Sequence, residues 1–374
     1  MFEDVVFLVS VLVAWAALYV VSRLTDLKRF GVRVEPLFLM KDSPRLRGLL
    51  DALSTKNRDM WVVLLHASVV ASVGLMAYSL YFLINNIPRF FIRRGYPAAV
   101  VPLLPGITVR VYWLPYIIIS ALVAVLSHEL AHGVAARIHR IPIKSAGVFV
   151  VFVLPGGFVE PDEEKFEESP LLKRLHVLSA GPSANLVVGA LTMLLLTACF
   201  APPSGVFITE VARGGPAAAA GLGRWDIIYS VNGTRVRDAY SFYQCVGSAS
   251  PGEKLLLGTS RGEVVVTVCN RSGRAYIGVS RYYTYYPTRF GLWPQASIHL
   301  YLSLYWIFVL SLSAAIFNML PLYPFDGERF LYYVVGALIK RGGRWVRIML
   351  NAACLSIFAL NIALSILRFG ITLL

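Results

Sequence analysis

Charge is scarce in this sequence. Of its 374 residues, 15% are Asp, Glu, Lys or Arg and 57% are apolar. Soluble globular domains carry about a quarter charged residues, so that class is excluded. Acidic residues are the scarcer sign, 21 against 35 Lys and Arg, leaving a net charge of +14. The excess cations gather in loops beside apolar runs rather than on one separable domain, so they read as membrane topology and not as a nucleic-acid footprint. Cysteine is rare too: Cys199, Cys245, Cys269 and Cys354 show no CxxC spacing and two of them sit in apolar runs, which excludes a cysteine zinc site and a disulfide framework. Cys245 and Cys269 share one polar segment, and whether they pair depends on the redox state of the side it faces. No Lys or Arg precedes the first apolar run, which follows Glu3 and Asp4; without the basic start of a signal peptide, that run is expected to be retained. No fixed-period repeat is present.

The apolar residues concentrate in runs of the roughly 20 residues that a helix needs to cross the hydrocarbon core. Six spans are expected: Val5–Val21, Trp61–Ile84, Tyr112–Ile138, Leu172–Phe200, Ile298–Met319 and Trp345–Leu367. The run Phe330–Ile339 is too short to cross and reads as an interfacial or re-entrant helix. An even number of crossings puts both termini on one side. The Arg23–Arg58 loop holds nine Lys and Arg and the Arg329–Arg347 region five, so these face the cytoplasm and both termini face outward. The Pro88–Pro115 loop, with Arg89, Arg93, Arg94 and Arg110, argues the other way.

From Ala201 to about Tyr283 the long apolar runs stop, and short alternating stretches appear between turn signals at Asn232-Gly233, Pro251-Gly252 and Asn270–Gly273. The fold class expected is thus a polytopic α-helical membrane protein with a small soluble β-rich domain between the fourth and fifth spans, on the extracytoplasmic side.

Inside the third expected span the chain reads His128-Glu129-Leu-Ala-His132, a HExxH motif on a helix. Residues four apart share a helical face, so both imidazoles can reach one metal ion, and Glu129 beside them can take a proton from its bound water. Ionisable groups at membrane depth are costly and usually functional, though a hydrogen-bonded helix-packing cluster would also account for them. A catalytic zinc needs a third protein ligand. Asp326 is a candidate, in Asn318-Met-Leu-Pro321-Leu-Tyr-Pro324-Phe-Asp326-Gly327, where two prolines and a glycine interrupt the helix. Broken backbone at that depth is tolerated where it lines a cavity, but Asp326 as the cap of an ordinary turn fits equally.

HExxH in one span and NxxPxxPxDG in another together resemble the paired signature of the site-2 proteases, intramembrane zinc metalloproteases. The resemblance implies one zinc per chain on His128, His132 and Asp326, Glu129 activating the zinc-bound water as nucleophile, and Asn318 and Pro321 helping to hold substrate. Phe325 stands where the family usually has Leu. The stretch Gly147–Glu160 resembles the family's β-like re-entrant loop, whose edge is thought to pair with an extended substrate; a plain hairpin is the alternative. Gly181-Pro182-Ser-Ala-Asn185 resembles a GPxxN motif that places Asn185 near the site, although Asn185 may equally bond between helices. Gly205–Val211, Gly215–Leu222 and Trp225–Gly233 together resemble PDZ domains of membrane and periplasmic proteases, with Trp225-Asp226 in place of Gly-Asp.

The expected organisation is 1–111, two spans and a basic loop; 112–200, the first half of the catalytic core; 201–283, a PDZ-like domain; and 284–374, the second half. The implied function is hydrolysis of peptide bonds in or near transmembrane helices of client proteins, in a cell membrane. Both termini and the PDZ-like domain would lie outside the cytoplasm and the active site towards it. The expected partners are a transmembrane client, the lipid bilayer and a peptide ligand of the PDZ-like domain, with no nucleic acid. Two rivals stand beside this: a catalytically silent scaffold that binds helices and peptides, and an ion-relaying transporter, against which no matching pair of broken helices is seen.

Overall fold

A computed structural model of the chain describes residues 2–25, 27–92, 95–271, 273–339 and 343–371. In chain order it opens with helix α1 (Phe2–Leu24), strands β1 (Val32–Glu35) and β2 (Phe38–Asp42), and helices α2 (Pro44–Thr55), α3 (Arg58–Phe91) and α4 (Leu114–Ile138). Strands β3 (Ile143–Val151) and β4 (Leu154–Pro161), the short helix α5 (Glu163–Glu167) and the long helix α6 (Leu171–Cys199) follow. Then come β5 (Val206–Val211), α7 (Pro216–Ala219), β6 (Ile227–Val231), β7 (Thr234–Arg235), α8 (Ala239–Gly247), β8 (Lys254–Thr259), β9 (Gly262–Thr267), β10 (Cys269–Arg271), β11 (Arg274–Tyr276) and β12 (Val279–Thr284). The chain closes with α9 (Pro294–Asn318), α10 (Asp326–Leu338) and α11 (Gly343–Phe369).

Among the described residues, six helices, α1, α3, α4, α6, α9 and α11, are long and apolar enough to cross a membrane. Their bounds differ from expectation chiefly at α3, which runs through Pro88 to Phe91 instead of stopping at Ile84. Arg89 therefore lies in that helix's last turn, while Arg93 and Arg94 fall outside the described residues. The short run expected as an interfacial or re-entrant helix is α10, which starts at Asp326 itself.

The chain forms two compact units, one from residues 1–192 and 306–374 and the other from 193–305. In the first, β1 to β4 make an antiparallel sheet in that order. Its first two strands, β1 and β2, come from the segment read from the sequence as a basic connecting loop. Phe38 pairs with Val151 and Met40 with Phe149, so this hairpin covers one edge of β3 and leaves β4 as an edge strand. A single core runs under the sheet and between the helices: Leu50 of α2, Ala135 and Ala136 of α4, Leu178 of α6, Met319 and Phe330 are all buried in it. A second cluster gathers Leu83 of α3, Leu320 and Leu322 of the α9–α10 loop, and Cys354 of α11. The segment leading to Asp326 is therefore packed in place by its own leucines.

In the second unit β12, β5, β6, β8 and β9 form a sheet in that order, with β7 paired to β6 and α8 alongside. The Asn232-Gly233 turn joins β6 to β7 with both residues at positive φ, 48° and 75°, the geometry a tight hairpin requires. Helix α8 begins with a capping box: Asp238 accepts from the Ser241 amide, and Ser241 Oγ accepts from the Asp238 amide. The side chains of Ile208, Ile228, Leu255, Leu257 and Phe242 fill its core.

Candidate metal centre

His128 and His132 lie one helical turn apart on α4, and both are buried. Their Nε2 atoms are 2.9 Å apart. Asp326, at the first position of α10, brings Oδ2 to 3.1 Å from His128 Nε2 and 3.3 Å from His132 Nε2. This carboxylate faces the two imidazoles from the first turn of α10, whose cap position is Phe325.

The second nitrogen of each ring decides what the first can do. His132 Nδ1 is 2.6 Å from the carbonyl oxygen of Val177 on α6, which can only accept, so Nδ1 carries the proton and Nε2 offers a lone pair. His128 Nδ1 is 3.2 Å from the amide of Asn185, whose other end is 3.0 Å from Ser127 Oγ. It is the Asn185 Nδ2 that faces His128 Nδ1, while Asn185 Oδ1 accepts from Ser127 Oγ. The two Nε2 atoms and a carboxylate oxygen face one another, a set of donors that one shared cation would satisfy.

The donor set fits zinc. A triangle with sides of 2.9, 3.1 and 3.3 Å has its corners about 1.8 Å from the centre, so a point just above its plane is about 2.0–2.1 Å from all three donors, the usual zinc bond length. Among the described residues, His128, His132 and Asp326 are the group of His, Cys, Asp and Glu close enough to hold an ion.

Room for this triangle comes from Gly181 on α6. A Cβ built there would lie 2.4 Å from His132 Nε2 and 2.7 Å from His128 Nε2, so no larger residue fits beside the two rings. Glu129 lines the same cleft as the two histidines, and its Oε2 accepts the Val159 amide of β4 at 3.0 Å. The Val159 N–H therefore turns away from β3, onto the edge of β4 that pairs with no other described strand.

A cleft of about 400 Å³ opens beside these groups, lined by His128, Glu129, His132, Asn318, Asp326 and Arg329 among others. Asn318, expected near substrate, is in this lining. Pro321 is not: it borders a separate small hollow with Glu328, Arg347 and Asn351. The Val177 carbonyl, Ser127, Gly181 as a space-maker and the β1–β2 hairpin went unforeseen. Only the glycine of the GPxxN stretch carried a local signal.

The model of Peptidase family M50 matches residues 116–360. An uncharacterized protein of Methanocaldococcus jannaschii is 30% identical over 220 residues, which are 58% of this chain and 55% of that protein. A membrane-bound transcription factor site-2 protease homolog of Arabidopsis thaliana is 30% identical over 127 residues, 34% of this chain and 24% of that protein. The chain therefore spans about half the length of the first of these curated relatives and a quarter of the second. Among solved structures, the PDZ domain of the SdrC-like protein from Listeria monocytogenes matches 21% of this chain and 86% of that domain, at 20% identity and a TM-score of 0.19. Because the family match takes in both helices that bring the three donors together and most of the helices around them, the chain belongs to peptidase family M50, whose members are membrane zinc metalloproteases.

Proposed function

We propose that this multi-pass membrane protein hydrolyses peptide bonds in or near transmembrane helices of client proteins. The observation that carries the reading is the convergence of His128 Nε2, His132 Nε2 and Asp326 Oδ2 within 4.8 Å of one another, next to Glu129. When bound there, zinc supplies a Lewis acid and lowers the pKa of a water to about 7. His128, His132 and Asp326 hold it. Glu129, oriented by the Val159 amide, takes the proton from the attacking water and passes it to the leaving amine.

Hydrolysis needs the client helix unwound, and the free edge of β4 supports this, since an extended segment can add to it as a further strand. Asn318, in the cleft lining, would bond that segment. Asn185 orients His128, and Pro321 shapes its loop from outside the cleft. The pairing of β2 with β3 supports a cytoplasmic metal centre, because it joins the basic 23–58 segment and the strand beside Glu129 in one sheet. In the same reading the termini and the 193–305 unit lie outside the cytoplasm. That unit is PDZ-like and either binds peptide ends or excludes clients with bulky outer domains.

The test is metal content of the detergent-solubilised chain, wild type beside His128→Ala, with cleavage of a generic transmembrane-helix substrate followed with and without a chelator. One zinc per chain, absent from the variant and required for cleavage, is the expected result. Folded wild-type protein without metal, or cleavage indifferent to chelation, overturns the reading and leaves a scaffold that binds helices without cutting them.

A further inference from the structure

The loop that presents Asp326 is gripped from outside by the last helix. Glu328, two residues beyond Asp326, is 2% exposed, and a buried carboxylate is costly unless paired. Arg347 of α11 pairs with it through both nitrogens of a fork: Nε donates to Oε1, and Nη2 to Oε2 at 2.9 Å. The guanidinium also lies over the Tyr332 ring, 4.4 Å from its centroid. One turn along α11, Asn351 adds two bonds. Its Nδ2 donates to Glu328 Oε1 at 3.4 Å, and its Oδ1 accepts the backbone amide of Tyr323 at 2.8 Å.

Tyr323 and Glu328 flank Asp326 in sequence, so Arg347 and Asn351 hold the chain on both sides of it. Between them the backbone has no slack. A Cβ at Gly327 would lie 2.4 Å from the Met319 carbonyl, so α10 begins in direct contact with the end of α9. The chain on either side of Asp326 is thus bonded to α11.

We propose that Glu328, Arg347 and Asn351 are positioning residues for the Asp326 carboxylate, setting its distance to His128 and His132 and hence the affinity of the site for its metal. Outer contacts that orient a ligand are worth about 10–100-fold in metal affinity. The proposal rests on the reading of His128, His132 and Asp326 as ligands.

Cobalt, whose visible spectrum reports its ligands, is the probe. Cobalt affinity and spectrum are measured on the metal-free, detergent-solubilised chain, alongside the melting temperature without metal. The key variant is Glu328→Leu with Arg347→Met, which removes the ion pair without leaving one charge buried alone. Asn351→Leu and Arg347→Lys accompany it, and Arg344→Ala, exposed on the same helix, is the control. Cobalt binding about 10–100-fold weaker with altered bands, at a metal-free melting temperature near that of the wild type, is expected for the double variant, and a smaller loss for Arg347→Lys, whose single ammonium cannot serve both oxygens. Wild-type affinity and bands in the double variant overturn the proposal. Should that variant not fold, the same result in both Asn351→Leu and Arg347→Lys overturns it. Folded wild type that binds no cobalt overturns the ligand reading itself, a different outcome from a wild-type site the variants leave untouched.

Discussion

His132 Nδ1 sits 2.6 Å from the carbonyl oxygen of Val177, so a backbone group of α6 selects the tautomer of a ring carried by α4. Helix α6 passes behind both histidines, its Asn185 against His128 and its Gly181 under the two Nε2 atoms. The site is thus built by a pair of packed helices before Asp326 arrives from a third.

Glu129→Gln keeps the size of the side chain and its place beside β4 but removes the base. Metal content is expected to stay at the wild-type value while turnover falls by about 10²–10⁴-fold, the usual loss for a general base. Equal cleavage rates for the two proteins would sink the assignment of Glu129.

Gly181→Ala puts a methyl group 2.4 Å from His132 Nε2, closer than atoms tolerate. One ring must leave the triangle, and zinc affinity, measured by competition with a chromophoric chelator, should fall at least as far as the roughly 10–100-fold seen on losing an outer-shell contact. Wild-type affinity would mean that α6 can retreat from α4 at little cost.

Asn185→Leu fills the same space without a hydrogen bond to His128 Nδ1. Ring orientation is then free, and zinc affinity is expected to drop about 10–100-fold with folding retained. If affinity is unchanged, the 3.2 Å contact is helix packing alone.

His139, just past the end of α4, has its pKa pushed down to about 4 by burial, helped by the nearby His176, Lys173 and Arg58. Its Nε2 is 2.9 Å from His176 Nδ1. A histidine whose folded pKa is depressed stays neutral in the fold while the unfolded chain takes up protons. Stability is therefore unaffected above the ordinary value of 6.5, declines as the pH drops below it, and levels off near 4. Melting temperature against pH should slope downward over that window in the wild type and less steeply in His139→Gln. Parallel slopes would show that other groups govern the acid limb.

Much of the site was legible from short spacings. The interval from His128 to His132 is a local property of any helix, and Asp326 stood out because Pro321 and Pro324 interrupt the helix before it. What no spacing reveals is which groups reach the back of each ring. Val177 acts through its carbonyl, which every residue type offers, and Ser127 is an ordinary residue in a span. The 32–42 hairpin went unread because its strands are four and five residues long and only the register with β3 makes them part of a sheet.

By itself the sequence determined the membrane class, the positions of the long apolar helices apart from the far end of α3, the β-rich stretch with its Asn232-Gly233 hairpin, and the candidate metal-binding residues, because apolar run length, turn chemistry and helical periodicity are local. Only the tertiary structure decided that Asp326 meets His128 and His132, that Pro321 stays out of the cleft, that β4 keeps a free edge beside Glu129, and that α11 grips the loop around Asp326. Each of these joins residues far apart in the chain, and such contacts depend on how buried leucines and a carboxylate paired inside the bundle draw separate helices together.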